Sequence, residues 1–350
     1  MVQEDSEMNT SFIMKKYLFS AMLFLTSFSC STEGAIQLVL GTSTEPPVFL
    51  DSQSVSSTEM LFEFSQDVRV VSLHFDPVRE IESIEEGSEV KVIFAKALEE
   101  GIKITADIIV EDSDRNTLNV IVPFRARNDR MPPLVFNELR TEYSKPKVEF
   151  VEFYAQGPGN LGAMRLFIAG QSHSTPVYEF PSVEVKAGEY IVLHLRTVEE
   201  GCIDETGMDL TLSGGTEAQD DARDFWIPGA KKLIRKTDAL WIMDQDDRII
   251  DAVLLSENPG AKWENDKMAA AAELLGKKKA WLPASGNSTA GWIPTPSDAV
   301  ISAGTTNTRT ICRDESLKPE YRAKNWYITD TSSATPGKPN STKRYVPKNT

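Results

Sequence analysis

The chain has 350 residues and a formal charge of −15 at neutral pH, from 52 acidic and 37 basic side chains. That balance repels phosphate backbones and speaks against nucleic acid as a partner, while it suits solubility or association with divalent cations. Its three histidines are spread along the chain and no CxxC or HExxH spacing occurs, so zinc is not expected.

The first readable element lies at residues 14–30. Lys15 and Lys16 give a short basic start, Tyr17 opens an apolar run of roughly a dozen residues ending at Phe28, and small Ser27 and Ser29 precede Cys30. The run is shorter than the about 20 apolar residues needed to span a bilayer. This arrangement resembles the signal of bacterial lipoproteins, with Ser27, Phe28 and Ser29 as a relaxed form of the cleavage box. The resemblance implies cleavage before Cys30, lipid on its sulfur, and an exported protein anchored to a bacterial membrane, at the periplasmic face or the cell surface. Residues 1–29 are read as the signal peptide, with Met14 as an alternative start. Residues 30–57, rich in Ser, Thr, Pro and Gln, are read as a flexible tether.

Residues 58–127 contain short runs of alternating or β-branched character at 60–64, 68–75, 90–94, 102–110 and 118–124, separated by polar turns at 85–88 and 112–116. That spacing predicts an Ig-like β-sandwich. The hairpin ADIIVEDSDRNTLNVIVPF, from Ala106 to Phe124, is similar to the last strand pair of bacterial Ig-like modules. A polar linker ending in Pro132 and Pro133 follows at 128–133.

The remainder, 134–343, reads as a second β-rich domain before a short tail at 344–350. Its opening Val135-Phe136-Asn137-Glu138-Leu139, the strand Val148 to Tyr154, and Asn160-Leu161-Gly162 resemble the start of lamin-tail domains. So do Val185 to Leu193, the hairpin Ala239 to Val253, and the closing signatures Thr308-Arg309-Thr310, Asn325-Trp326-Tyr327 and Thr335-Pro336-Gly337-Lys338-Pro339-Asn340. The resemblance implies a second Ig-like β-sandwich, of a kind that serves binding or attachment in exported bacterial proteins. The chain is thus read as mainly β, with two Ig-like sandwiches.

An insertion at 256–296 interrupts the second of these. Strong helix formers from Lys262 to Leu275, a stop at Gly276 and the cations Lys277, Lys278 and Lys279 predict a helix. Trp263, Trp281 and Trp292 fall in the same segment. They read first as packing residues; a sharper reading makes these tryptophans and lysines an interfacial contact for a membrane or partner.

Candidate chemistry is sparse. Asp112 and Asp114, and Asp244, Asp246 and Asp247, sit in turns where calcium or magnesium could find oxygen ligands, although hairpin geometry explains Asp in turns equally well. Glu149 and Glu152 are three apart in one strand and point to opposite faces, so they do not make an acid–base pair. With Cys30 lipidated, Cys202 and Cys312 remain, to be read either as one disulfide or as two thiols. No GxSxG elbow occurs, and no Gly-rich phosphate cradle. The sequence therefore leads to a non-catalytic binding or adhesion module at the cell envelope. The alternative is a divalent-metal-dependent hydrolase acting on membrane phosphoesters, and a third reading is a structural spacer.

Overall fold

A computed structural model describes residues 45–284 and 288–347. Cys30, the signal peptide and most of the tether lie outside them. The described residues form two compact units: 45–53 with Met60–Ile93 and Thr105–Pro123, and Ser54–Glu59 with Phe94–Ile104 and the described residues from Phe124 to 347.

The first sheet has six strands: β1 (Phe49–Ser56), β2 (Glu59–Asp76), β3 (Ile81–Glu85), β4 (Gly87–Phe94), β5 (Lys103–Glu111) and β6 (Thr117–Arg125), ordered β3-β4-β2-β5-β6 with β1 beside β2. Period-two alternation drives it: Met60, Phe62 and Phe64 of β2, Val90, Val92 and Phe94 of β4, and Ile104, Ala106, Ile108 and Val110 of β5 are all buried. Strand β1 corrects the tether assignment, because Phe49–Ser56 is ordered strand within 30–57. Its anchor is Phe49, whose ring meets Phe64 edge-on at 5.9 Å.

The second unit is a β-sandwich. One sheet has the order β14-β13-β8-β7-β18-β19, from Arg223–Trp226, Tyr190–His194, Phe150–Ala155, Leu134–Arg140, Ile311–Arg313 and Trp326–Ile328 respectively. The facing sheet is β11-β10-β15-β16-β17, from Tyr178–Glu179, Arg165–Ile168, Asp238–Met243, Ile249–Ser256 and Val300–Ile301, and a short pair joins β12 (Glu184–Val185) to β9 (Gly159–Asn160). Buried Phe136, Phe153, Phe180, Phe225, Leu240, Trp241, Val253 and Leu254 belong to one continuous core. Burying aromatic and branched side chains at about 1.5–3 kcal/mol each is what holds two amphipathic sheets face to face. Residues 128–133 are not a free linker: Asn128 is buried and donates to the carbonyls of Asn160 and Gly162, each at 2.8 Å, and the Arg130 carbonyl accepts from Asn160 N.

The inserted helix, α1, spans Asp266–Lys277. It starts later than the sequence pattern predicts because Asn265 caps it, its side chain accepting from Lys267 N at 2.8 Å. It also ends differently. Gly276 lies inside the helix, and the left-handed residue after it is Lys279, at φ 56°. Gly276 is required instead by close approach: a Cβ there would meet Trp292 O at 2.8 Å and Pro294 Cδ at 2.9 Å.

Packing takes Trp281 out of the interfacial reading of the insertion. Trp281 is fully buried, donating from Nε1 to Asp298 O at 2.8 Å; Trp263 and Trp292 pack against the sandwich core with Met268, Ala271 and Leu275. Of the three lysines, Lys277 pairs with Glu273 one turn earlier on the exposed side of the helix. No helix among the described residues is long and apolar enough to cross a membrane.

Candidate ligand-binding cleft

The foot of α1 forms one wall of a cleft of about 640 Å³ whose opposite wall is the loop before β15. That loop carries Lys231, Lys232, Arg235 and Lys236, four cations and no acid within six residues of an otherwise acidic chain. Ile234 holds it down by inserting fully into the core. Asp238, also fully buried, holds it from the other end by accepting from Arg235 N at 3.1 Å, Gly170 N at 2.9 Å and its own neighbour Ala239 N at 3.0 Å. Burial pushes the Asp238 carboxyl up to about 6, against the pull of those three donors and of Arg235. Ser302 Oγ fixes the Lys236 carbonyl at 2.7 Å.

The helix side is equally well held. Gly260 is tied to Ser297 through its N–H at 3.0 Å and its carbonyl at 3.1 Å, and Trp263 Nε1 donates to Pro294 O at 2.8 Å. With its nitrogen committed there, half-buried Trp263 lines the cleft together with the buried Met268. Lys232 is neutralised by Glu142 at 3.3 Å. Arg235, Lys236 and Lys262 also line the cleft and form no ion pair among the described residues. Sequence pattern alone does not single out this site; the acid-free basic run at 231–236 is its one linear signal.

The acidic turns hold their own chains together. Asp112 accepts from Asp114 N and Asn116 N, both at 2.9 Å, and from Asn116 Nδ2 and Gln66 Nε2; burial opposes its charge, but these bonds win and keep the carboxyl below its usual range. Asp244 accepts from Asp246 N and Arg248 N at 2.9 Å and from Arg248 Nε at 2.8 Å. Asp246 pairs with Arg127 and Asp247 with Arg165. No group of three or more His, Cys, Asp or Glu suited to a metal occurs among the described residues.

The disulfide alternative gives way to two free thiols. Cys202 is half-buried and its thiol is raised by burial and by Glu199; Cys312 is fully buried in β18, its thiol pushed far up by burial and by Glu138, so neither is activated as a nucleophile.

Two buried polar constellations were hidden from the sequence. His194 Nε2 meets Asp224 at 2.6 Å, both fully buried, with Trp226 stacked on the imidazole at 3.7 Å and an 8° interplanar angle. The ring closes the dyad off from solvent, so it joins β13 to β14 rather than serving an open site. Glu149 and Glu152, as expected, take separate partners: Glu149 pairs with Arg196 at 2.5 Å, while Glu152 accepts from Asn137 Nδ2 at 2.8 Å and Gly337 N at 2.6 Å. Glu138, the cross-strand neighbour of Glu152, accepts from Thr310 and from the N–H and hydroxyl of Thr335. Burial raises both carboxyls, and Glu152 is raised further by Glu138. The closing segment 335–340 is therefore strapped over the row Glu152–Glu138–Cys312 on the outer face of the sheet.

These features define a β-sandwich module with a packed helical insertion and a charged cleft at the helix foot. The chain belongs to the family TP_1001_2nd, described as a protein second domain, which matches residues 132–328. An uncharacterized protein of Treponema pallidum (strain Nichols) is 27% identical over 244 residues, 65% of this chain and 61% of that protein, so the chain spans about three fifths of that relative's length. A solved DUF4876 family protein from Bacteroides thetaiotaomicron VPI-5482 aligns over 80% of this chain and 90% of its own at 12% identity, with a TM-score of 0.27.

Proposed function

We propose that the chain is a lipid-anchored, non-catalytic binding or adhesion module of a bacterial envelope, with its ligand taken by the cleft at the foot of α1. On this reading Cys30 carries the lipid, residues 58–127 are Ig-like, and the second sandwich is lamin-tail-like. The observation behind it is the set of three cations, Arg235, Lys236 and Lys262, that line a cleft of about 640 Å³ and form no ion pair among the described residues, although Arg235 also acts on the buried Asp238. Held by a rigid frame, they are available to a ligand rather than spent on the fold. The lamin-tail likeness draws support from the strap, where the quoted motifs meet: Asn340 Nδ2 donates to Asn137 O at 3.2 Å and to Arg313 O at 2.9 Å.

The metal-dependent hydrolase reading relied on acidic turns as ligands, and those carboxylates are engaged by their own backbone and by arginines. The test is fractionation of cells making the full chain, together with phospholipid turnover by the purified protein in calcium or magnesium. The full chain should stay with membranes, Cys30→Ala should leave them, and no lipid should be cleaved. Membrane retention of Cys30→Ala would overturn the anchor. Metal-dependent cleavage lost in Asp244→Asn would overturn the binding reading.

A further inference from the structure

We infer that the cleft at the foot of α1 recognises an acidic saccharide, a sugar bearing a single carboxylate or phosphate per recognised unit; the inference rests on the reading of this cleft as the ligand site. Charge sets the sign and the size of the ligand. With Lys232 cancelled by Glu142, the lining leaves Arg235, Lys236 and Lys262 against Glu257 and Glu264, a local excess of one positive charge in a chain of −15. One anionic group fits that excess. A polyanion would meet the negative field of the whole molecule as it approached.

The helix end adds little to this selection. Asn265 already caps the first turn and Asp266 already sits in it, so the helix dipole is matched and the side-chain cations do the choosing. Arg235 can grip a carboxylate or phosphate with two parallel N–H bonds, while Lys236 and Lys262 act as point charges.

The rest of the lining suits a sugar rather than a bare anion. Trp263 offers ring carbons to the apolar face of a pyranose, since its only polar atom is bonded to Pro294 O. Asn258 and Thr237 line the same space with groups that can meet hydroxyls, while the buried Ser256 hydroxyl is committed to Asn258 O at 2.8 Å. Both walls are tied down, by buried Ile234 and Asp238 on one side and by the hydrogen bonds between Gly260 and Ser297 on the other, so little ordering entropy is lost on binding.

The experiment titrates the purified chain from Ser31 onward, following Trp fluorescence and calorimetric heat, with three probes: an aldobiouronate, which is a disaccharide carrying one carboxylate, its neutral methyl ester, and inorganic phosphate. The same samples are analysed for cleavage products. The aldobiouronate should bind saturably, weaken with salt, and bind at least tenfold more tightly than the ester or phosphate. Arg235→Gln and Lys236→Gln should each weaken it about five- to tenfold, with Lys277→Gln on the far end of the helix as an unchanged control. Equal binding of the neutral ester, equal binding of phosphate, no saturable binding of any probe in the millimolar range, or indifference to both cleft substitutions would overturn the saccharide inference. Saturable binding accompanied by cleavage products would instead overturn the non-catalytic reading on which it rests.

Discussion

Asp251 and Arg313 come from opposite sheets of the second sandwich and meet at 2.5 Å in its interior, where both are buried. Their meeting place is a β-bulge. The register of β7 against β8 shifts between Phe136 and Glu138, which releases the peptide of Phe136 from the ladder. Asp251 accepts the freed Phe136 N–H at 2.7 Å and Arg313 Nε donates to the Phe136 carbonyl at 2.7 Å, so an ion pair takes the place of the missing strand bonds. The bulge in turn aims Asn137 at Glu152 and at Asn340 of the strap.

Asp251→Asn should therefore be costly. It leaves a buried guanidinium without its counter-charge, a loss of about 3–5 kcal/mol for this kind of site. Denaturant unfolding would read it directly, and Arg313→Met combined with Asp251→Leu should recover part of the loss, because an apolar pair removes both desolvated charges together.

Asp238 gives the fold a pH dependence. Its carboxyl rises from 3.8 in the unfolded chain to about 6 in the folded one, chiefly through burial. Between those values the folded chain keeps a proton that the unfolded chain has released, so the contribution of this group is fully present below about pH 4 and is lost as pH rises through 6, by ~3 kcal/mol. Unfolding midpoints measured across that window should show the fall in the wild type and lack this component in Asp238→Asn.

Trp281 tests whether the insertion belongs to the core. Trp281→Ala removes a fully buried indole and its bond to Asp298 O, for a loss of about 3–5 kcal/mol. Lys277→Gln, on an exposed helix pair with Glu273, should change stability by no more than about 0.5 kcal/mol. Thermal unfolding of the two variants would separate them; equal midpoints would return the insertion to the surface.

Local pattern foretold what local forces decide. The alternation in β2, β4 and β5 and the helix formers before Gly276 were legible because side-chain period alone places them. What stayed hidden depends on pairing between distant segments. His194 finds Asp224 only because β13 and β14 run parallel with Ile191 opposite Arg223 and His194 opposite Trp226, a register that no short window contains. Trp281 looks interfacial in a linear reading because its burial depends on a sandwich face supplied by residues far away. The cleft was half legible: the acid-free basic run at 231–236 is visible, but Lys262 and Trp263 join it only through the fold.

The strap yields the last prediction. Gly337 adopts φ 76°, a conformation that side chains disfavour, and a Cβ there would meet Gln219 Cγ at 2.7 Å and Ala222 Cβ at 2.8 Å. Gly337→Ala must therefore move the backbone whose N–H is held by Glu152. Losing that bond uncovers a carboxyl whose remaining donor among the described residues is Asn137, and whose neighbour across the ladder is the equally buried Glu138. Water must then reach the pair, and the segment from Thr335 onward should detach before the sandwich unfolds, at a cost of about 1–3 kcal/mol for the unsatisfied group. Limited proteolysis should cut Gly337→Ala near Lys338 and Lys343 under conditions that leave the wild type intact, while Glu152→Gln, which keeps an acceptor for Gly337 N–H and removes the like charge beside Glu138, should retain the protected strap. Equal protection of Gly337→Ala and the wild type would show that the closing motif is held by something other than these two glutamates.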